Sequence, residues 1–287
     1  MPPTLRRSAW TTSQSSSRHF TPLVFFAFLI PLLTLLSPYT SLLSRKHHLG
    51  IFDSLQTPIL GDGASRALLV TAHPDDEVMF FSPTILSLIQ EGWEVSGLCL
   101  SSGNDTGLGT IRKQELYGSY ETLGVSRDRV KVIDHPDLQD SMSVHWDPAL
   151  ILNIVENHLN DHSAELIITF DEKGITNHPN HMAISKALSQ TFHNKSIRLL
   201  HLKSPALLFK FTGPLYPIYL NILSILSRIT GRENFAEKHM KFVVLSTSSQ
   251  WYQSIQAMLS HKTQLVWFRW LYLTFSQLMW VNELKII

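Results

Sequence analysis

The stretch Ala67-Leu68-Leu69-Val70-Thr71-Ala72-His73-Pro74-Asp75-Asp76-Glu77 decides how this chain is read. Its apolar first part has the length and composition of a buried strand, and the polar part that follows reads as a helix start. A second piece repeats the plan. Leu166-Ile167-Ile168-Thr169-Phe170 leads through a short loop to His178-Pro179-Asn180-His181. In each piece a Pro follows a His, and a second metal-ligating side chain stands three residues after that His. Pro is tolerated in a first helical turn because its missing N–H would be unpaired there anyway. The spacing therefore predicts a His at each helix cap, with Asp76 or His181 on the turn beyond it.

Outward from these two pieces the pattern continues. Val95 to Leu100, Val130 to Ile133 and Ile197 to Leu200 read as further strands. Helical stretches are predicted at Glu77 to Gln90, Thr110 to Leu123, Pro148 to Asn160 and His181 to Phe192. Strands alternating with helices predict an α/β fold with a doubly wound, mostly parallel sheet. Ligands in such sheets bind beyond the carboxyl ends of the strands. Both His-Pro pieces fall at that edge, as does the Gly-rich run Ser101 to Gly109. A probe for false signals is at hand: His135-Pro136-Asp137 is a third His-Pro, with no second ligand three residues on.

The rest of the chain limits the reading. With 287 residues and a formal net charge of +1, it has ample material for a core and no charge bias toward nucleic acid. The single cysteine, Cys99, falls in an apolar run and is expected in the core, so nothing argues for an oxidising compartment. Residues 1–19 form a polar head expected to be disordered. From Phe20 to Ser44 there is no charged residue, and about 20 apolar residues suffice to span a bilayer. A membrane anchor over 20–44 is favoured over a cleaved signal peptide, since the run is long for one and no small-x-small site follows. Charges flanking the span give no orientation. A linker over 45–65 then leads to a catalytic domain over 66–287. Residues 205–230 and the aromatic segment 265–281 suit either core helices or contact with a membrane interface, and a strand is expected over Lys241 to Leu245.

Carboxylate and imidazole at this spacing suit a divalent metal. His73, Asp76 and His181 supply three ligands and leave room for water, the arrangement of a catalytic zinc site. A metal there would lower the pKa of bound water from about 15.7 to about 7. Asp75 is expected to face that water as general base, since a free Asp titrates near 3.9 and is ionised at neutral pH. His178, if protonated, would stabilise the oxyanion and hand a proton to the leaving nitrogen. Glu77 reads either as a supporting partner or as a first-turn acid.

The stretch 71–77 and the stretch Thr169 to His181 resemble the two signatures of the LmbE-like zinc de-N-acetylase family. With the apolar anchor, the run Gly107 to Leu116 and the aromatic C-terminal segment, the resemblance points to its membrane-bound branch. It implies a Rossmann-like fold of the LmbE type over residues 66 to 285. It also implies hydrolysis of the N-acetyl group of GlcNAc-phosphatidylinositol, the second step of glycosylphosphatidylinositol (GPI) anchor synthesis, at the cytosolic face of the endoplasmic reticulum. By position it assigns His73, Asp76 and His181 as zinc ligands, Asp75 as base and His178 as polarising acid. Arg112 becomes a contact for the inositol phosphate, or else an exposed helix residue paired with Glu115. Lys173 and Asn177 stand where many relatives carry Gly, which implies an altered loop. Two other readings remain open: a deacetylase of a soluble amino-sugar conjugate, and a non-catalytic glycolipid-binding membrane subunit.

Overall fold

The computed structural model describes residues 65–192, 197–230 and 243–287. The polar head, the anchor over 20–44 and nearly all of the linker lie outside the described residues. Among those described, no helix is long and apolar enough to cross a membrane.

The strands run β1 Arg66–Thr71, β2 Glu94–Cys99, β3 Val130–Val132, β4 Leu166–Phe170, β5 Arg198–Leu202, β6 Val243–Leu245 and β7 Val281–Ile286. They form one sheet in the order β3-β2-β1-β4-β5-β7-β6. The first five are parallel, while β7 pairs antiparallel with both β5 and β6. The sheet is thus mixed, with the parallel part as read from the alternation and an antiparallel margin that the alternation did not reveal. In β1, five of six residues are buried, and all of β4 is buried. Continuous apolar runs of this kind belong to strands covered on both faces.

The helices are α1 Asp76–Phe80, α2 Ser82–Gln90, α3 Gly109–Leu123, α4 Pro148–Asp161, α5 Pro179–Phe192, α6 Leu215–Thr230, α7 Ser248–Met258 and α8 Trp267–Phe275. The single helix expected from Glu77 to Gln90 is two, parted at Phe81. Pro83 explains the break: it has no N–H to bond back to Met79, and it sits instead in the first turn of α2, where that donor would be unpaired anyway. Cys99 is buried within β2, and burial pushes its thiol well above the usual range. The aromatic C-terminal segment divides in two. Trp280 and Met279 are core, with Trp280 stacked on Trp251 at 5.3 Å, whereas α8 turns several of its large side chains outward. Asn282 of β7 locks that margin to the first helices by bonding Thr84 and the Phe80 carbonyl.

Candidate active site

The parallel strands bring three loops to one rim. After β1 the chain turns through His73 and Pro74, and α1 begins only at Asp76, with Asp75 as its cap. Pro74 therefore precedes the helix instead of sitting in its first turn. The second motif follows the expectation, with α5 starting at Pro179 directly after His178. Asp75 has φ 118°, a left-handed backbone uncommon outside glycine, and its N–H bonds the Glu77 carboxylate at 3.1 Å. Ile175 and Asn177 also have positive φ, 62° and 58°. Asn is the residue that best replaces Gly in that conformation, which accounts for Asn177. Strained backbone of this kind concentrates at functional sites. Gly174 has φ +56°, and a Cβ there would lie 2.7 Å from the His181 Cβ, so the loop can pass the ligand helix only with glycine.

His73, Asp76 and His181 meet as their spacing predicted. His181 Nε2 lies 3.2 Å from Asp76 Oδ1 and 3.3 Å from His73 Nδ1. The outer ring atoms are already engaged. His181 Nδ1 donates to the Gly174 carbonyl at 3.0 Å, and His73 Nε2 lies 3.1 Å from Asn180 Oδ1 and 3.2 Å from Asp140 Oδ1. Asp76 Oδ2 accepts the Ala72 and His73 N–H groups at 2.9 and 2.8 Å. Each group is thereby held from outside, and the inner lone pairs of Nδ1, Nε2 and Oδ1 converge. Outward donation of this type orients imidazoles that ligate metal. Separations of 3.2–3.3 Å also match the edge between two bonds of about 2.0–2.1 Å to one tetrahedral zinc. The donor set fits a metal ion. His178 belongs to the cluster as well: its ring, with those of His73 and His181, offers ligand atoms within 4.8 Å of one another.

Burial and neighbours set the charges. Burial opposes ionisation of Asp76, but His181 and His73 hold its carboxyl well below the ordinary range. Burial drives Asp75 upward, and Arg269 pulls it back through a contact of 2.9 Å to Oδ2. His178 is pushed down to about 4 by burial and by the two adjacent imidazoles. Its ring is therefore neutral at pH 7. Since the Asn180 N–H donates to its Nδ1, at 3.3 Å, the proton sits on Nε2.

Arg112 braces the rim. Its Nη1 donates to the Gly103 carbonyl at 2.7 Å and to Asp140 at 3.3 Å, and its Nη2 donates to the Pro74 carbonyl at 3.0 Å and to Gln264 at 2.9 Å. It is neither exposed nor paired with Glu115, which instead bonds Thr263 and Gln264. Glu77 proves to be a supporting partner: fully buried, it bonds Ser119 at 2.6 Å and His261 at 2.7 Å. Against the cost of burial, Glu77 holds His261 above its usual pKa. His135 lies outside the cluster, as its spacing implied.

Sequence reading missed Arg269, Asp140, Asn180 and His261. Asn180 lies within the quoted motif, and its amide is fully buried. The other three come from distant segments and carried no local signal.

An imidazole–carboxylate cluster at the carboxyl edge of a mostly parallel sheet, with a buried acid beside it, is the framework of a deacetylase of the LmbE-like class. The fold agrees. N,N'-diacetylchitobiose deacetylase from Pyrococcus horikoshii superposes with a TM-score of 0.51 at 16% identity, over 81% of this chain and 86% of that one. A deacetylase of the teicoplanin biosynthetic pathway gives 0.51 at 14% identity, over 78% and 99%. Residues 68–192 match the family model described as PIG-L: GlcNAc-PI de-N-acetylase. The chain is 37% identical to N-acetylglucosaminyl-phosphatidylinositol de-N-acetylase of Bos taurus, over 79% of its own length and 86% of the relative's. It is 34% identical to the probable enzyme of that name from Schizosaccharomyces pombe, over 76% and 85%. The chain belongs to the PIG-L family of GlcNAc-phosphatidylinositol de-N-acetylases.

Proposed function

We propose that the chain hydrolyses the acetamide of GlcNAc-phosphatidylinositol, releasing acetate and GlcN-phosphatidylinositol, the second step of GPI-anchor biosynthesis. The observation that carries this reading is the inward-facing donor set of His73, Asp76 and His181 beside the buried carboxyl of Asp75. A divalent cation, zinc by the chemistry of these donors, would be held by those three residues and would supply Lewis-acid polarisation of the amide and of the attacking water. Asp75, raised by burial and pulled back toward its carboxylate form by Arg269, accepts the proton as water adds to the carbonyl carbon. His178 offers its Nε2 proton as a hydrogen bond to the carbonyl oxygen as that oxygen gains charge. When the C–N bond breaks, the proton on Asp75 passes to the departing nitrogen, so no net proton is lost from the site. Arg112 holds the loops that carry these groups.

The reading extends to an endoplasmic-reticulum enzyme anchored by residues 20–44 with its catalytic domain on the cytosolic face. The uncharged run and the single buried thiol support it. Acetate release from GlcNAc-phosphatidylinositol in vesicles, measured with metal content, tests the assignment. Asp75→Asn is expected to keep the metal and lose at least a hundredfold in turnover, while His181→Ala loses both. Near-normal turnover by Asp75→Asn would remove Asp75 from its role. Preference for a water-soluble GlcNAc-inositol conjugate would reassign the substrate.

A further inference from the structure

Large exposed apolar side chains concentrate on two segments. In the turn before α6, Leu207 and Leu208 are 84% and 81% exposed. Along α6 the exposed positions Leu215, Tyr219, Ile222, Leu226 and Ile229 follow one another at intervals of four and three residues, which is one stripe of a helix. α8 presents Trp267, Phe268, Leu271 and Phe275. The two segments meet. The Gln277 N–H donates to the Lys210 carbonyl at 3.0 Å, and a Cβ on Gly213 would stand 2.8 Å from the Thr274 carbonyl oxygen. Phe209 stacks on Tyr219 at 4.9 Å, folding the turn onto α6.

Charge is sparse on these segments: the turn and α6 carry only Lys210 and Arg228. No charged residue occurs between Lys210 and Arg228. The one charge of α8, Arg269, points inward to Asp75. Exposed apolar side chains gathered on adjoining segments mark an interaction site. Trp, Tyr, Phe and Leu with few charges, both of them basic on the turn and α6, suit the boundary between lipid headgroups and acyl chains. The same helix is a wall of the active site, since Tyr272 also donates to the Met79 carbonyl at 2.8 Å. A helix with its side chains is about 10–12 Å across, so a surface docked on the outer side of α8 lies one helix away from Asp75. Residues 20–44 add an apolar run upstream of the first described residue.

We propose that the turn 207–215, α6 and α8 form a docking surface for a phospholipid bilayer, seating the mouth of the site on the headgroup layer. The choice of a bilayer over another protein chain rests in part on the lipid-linked substrate proposed above. A sugar attached to a phospholipid lies at the headgroup layer, and a docked α8 brings Asp75 to that depth without extracting the lipid.

The full-length chain in phosphatidylcholine–phosphatidylinositol vesicles tests this. Because Cys99 is buried, a fluorophore can be attached at Leu208→Cys or Leu271→Cys, with Asn160→Cys at the opposite edge of the sheet as reference. Lipids carrying a nitroxide near the headgroup end of the acyl chain should quench the first two at least twofold more than the third. Equal quenching overturns the proposal, and so does shielding of these positions by a second copy of the chain or by residues 20–44. In the same vesicles, the double variant Leu207→Glu/Leu208→Glu should turn over GlcNAc-phosphatidylinositol at least tenfold more slowly. Its turnover of a soluble GlcNAc-inositol phosphate should stay within twofold of the unaltered chain. Unchanged vesicle turnover overturns the proposal. The quenching measurement needs no substrate. If the unaltered chain is quenched as expected but hydrolyses neither compound, the assigned reaction fails and the docking surface stands.

Discussion

Asp75 is caught between two influences. Burial favours its neutral form, and the Arg269 guanidinium favours the ionised form a base requires. In Arg269→Met the largest charge opposing burial is gone, leaving only Arg112 and His261 to pull the other way, so the Asp75 pKa rises further. The acid limb of kcat/KM should move to higher pH and kcat at pH 7 should fall about tenfold or more, with a partial return in Arg269→Lys. A pH–rate profile separates this from simple loss of fold, which would lower the rate without moving the limb. Glu77 and His261 form a fully buried pair. Removing one partner of such a pair typically costs about 3–5 kcal/mol, so Glu77→Ala should lose that much in urea unfolding. The cluster was legible because His73 and Asp76, like His178 and His181, are three residues apart, and a helix start brings such neighbours together. Arg269 and His261 were not, because their contacts span 194 and 184 residues and exist only once α8 and the end of α7 pack against α1.

Among the elements, period and punctuation served well for the parallel strands and for α3, α4 and α5. They failed where two signals competed. The apolar periodicity from Glu77 to Gln90 ran through Pro83, and the proline prevailed. β7 was hidden because its residues follow an aromatic helix without a turn signal rich in Gly or Pro. α7 opens with a capping box, in which the Thr247 hydroxyl accepts from the Gln250 N–H and the Gln250 side chain accepts from the Thr247 N–H. Thr247→Ala should lower stability by about 1 kcal/mol, read as a shift in urea midpoint with unchanged slope. Asn177 gives a paired test in the loop before His178. Asn177→Gly should be tolerated there, while Asn177→Val forces a β-branched side chain into left-handed backbone. That costs about 1–2 kcal/mol and should weaken metal retention through misplacement of the adjacent His178 and α5.

At the scale of the molecule, two histidines outside the cluster tie stability to pH. His158 and His201 are buried, and burial lowers each from 6.5 to about 4. Between those values the unfolded chain takes up protons that the folded chain refuses, so stability should fall as pH drops from about 6.5 toward about 4. Above that window neither state gains a proton at these rings, and they contribute no slope. Urea unfolding at a series of pH values checks this, and His158→Gln should flatten the dependence.

The placement of β7 between β5 and β6 has a consequence for how the protein is made. The five parallel strands emerge from the ribosome in an order that lets each find a neighbour already synthesised. β6 emerges with nothing to pair with, and β5 keeps a bare edge until residues 281–286 arrive. Unpaired edges of this sort invite association between nascent chains. A premature stop codon anywhere ahead of residue 281 would make that exposure permanent. Such a truncated product would be expected in aggregates or degraded, even where every residue of the imidazole–carboxylate cluster had been translated.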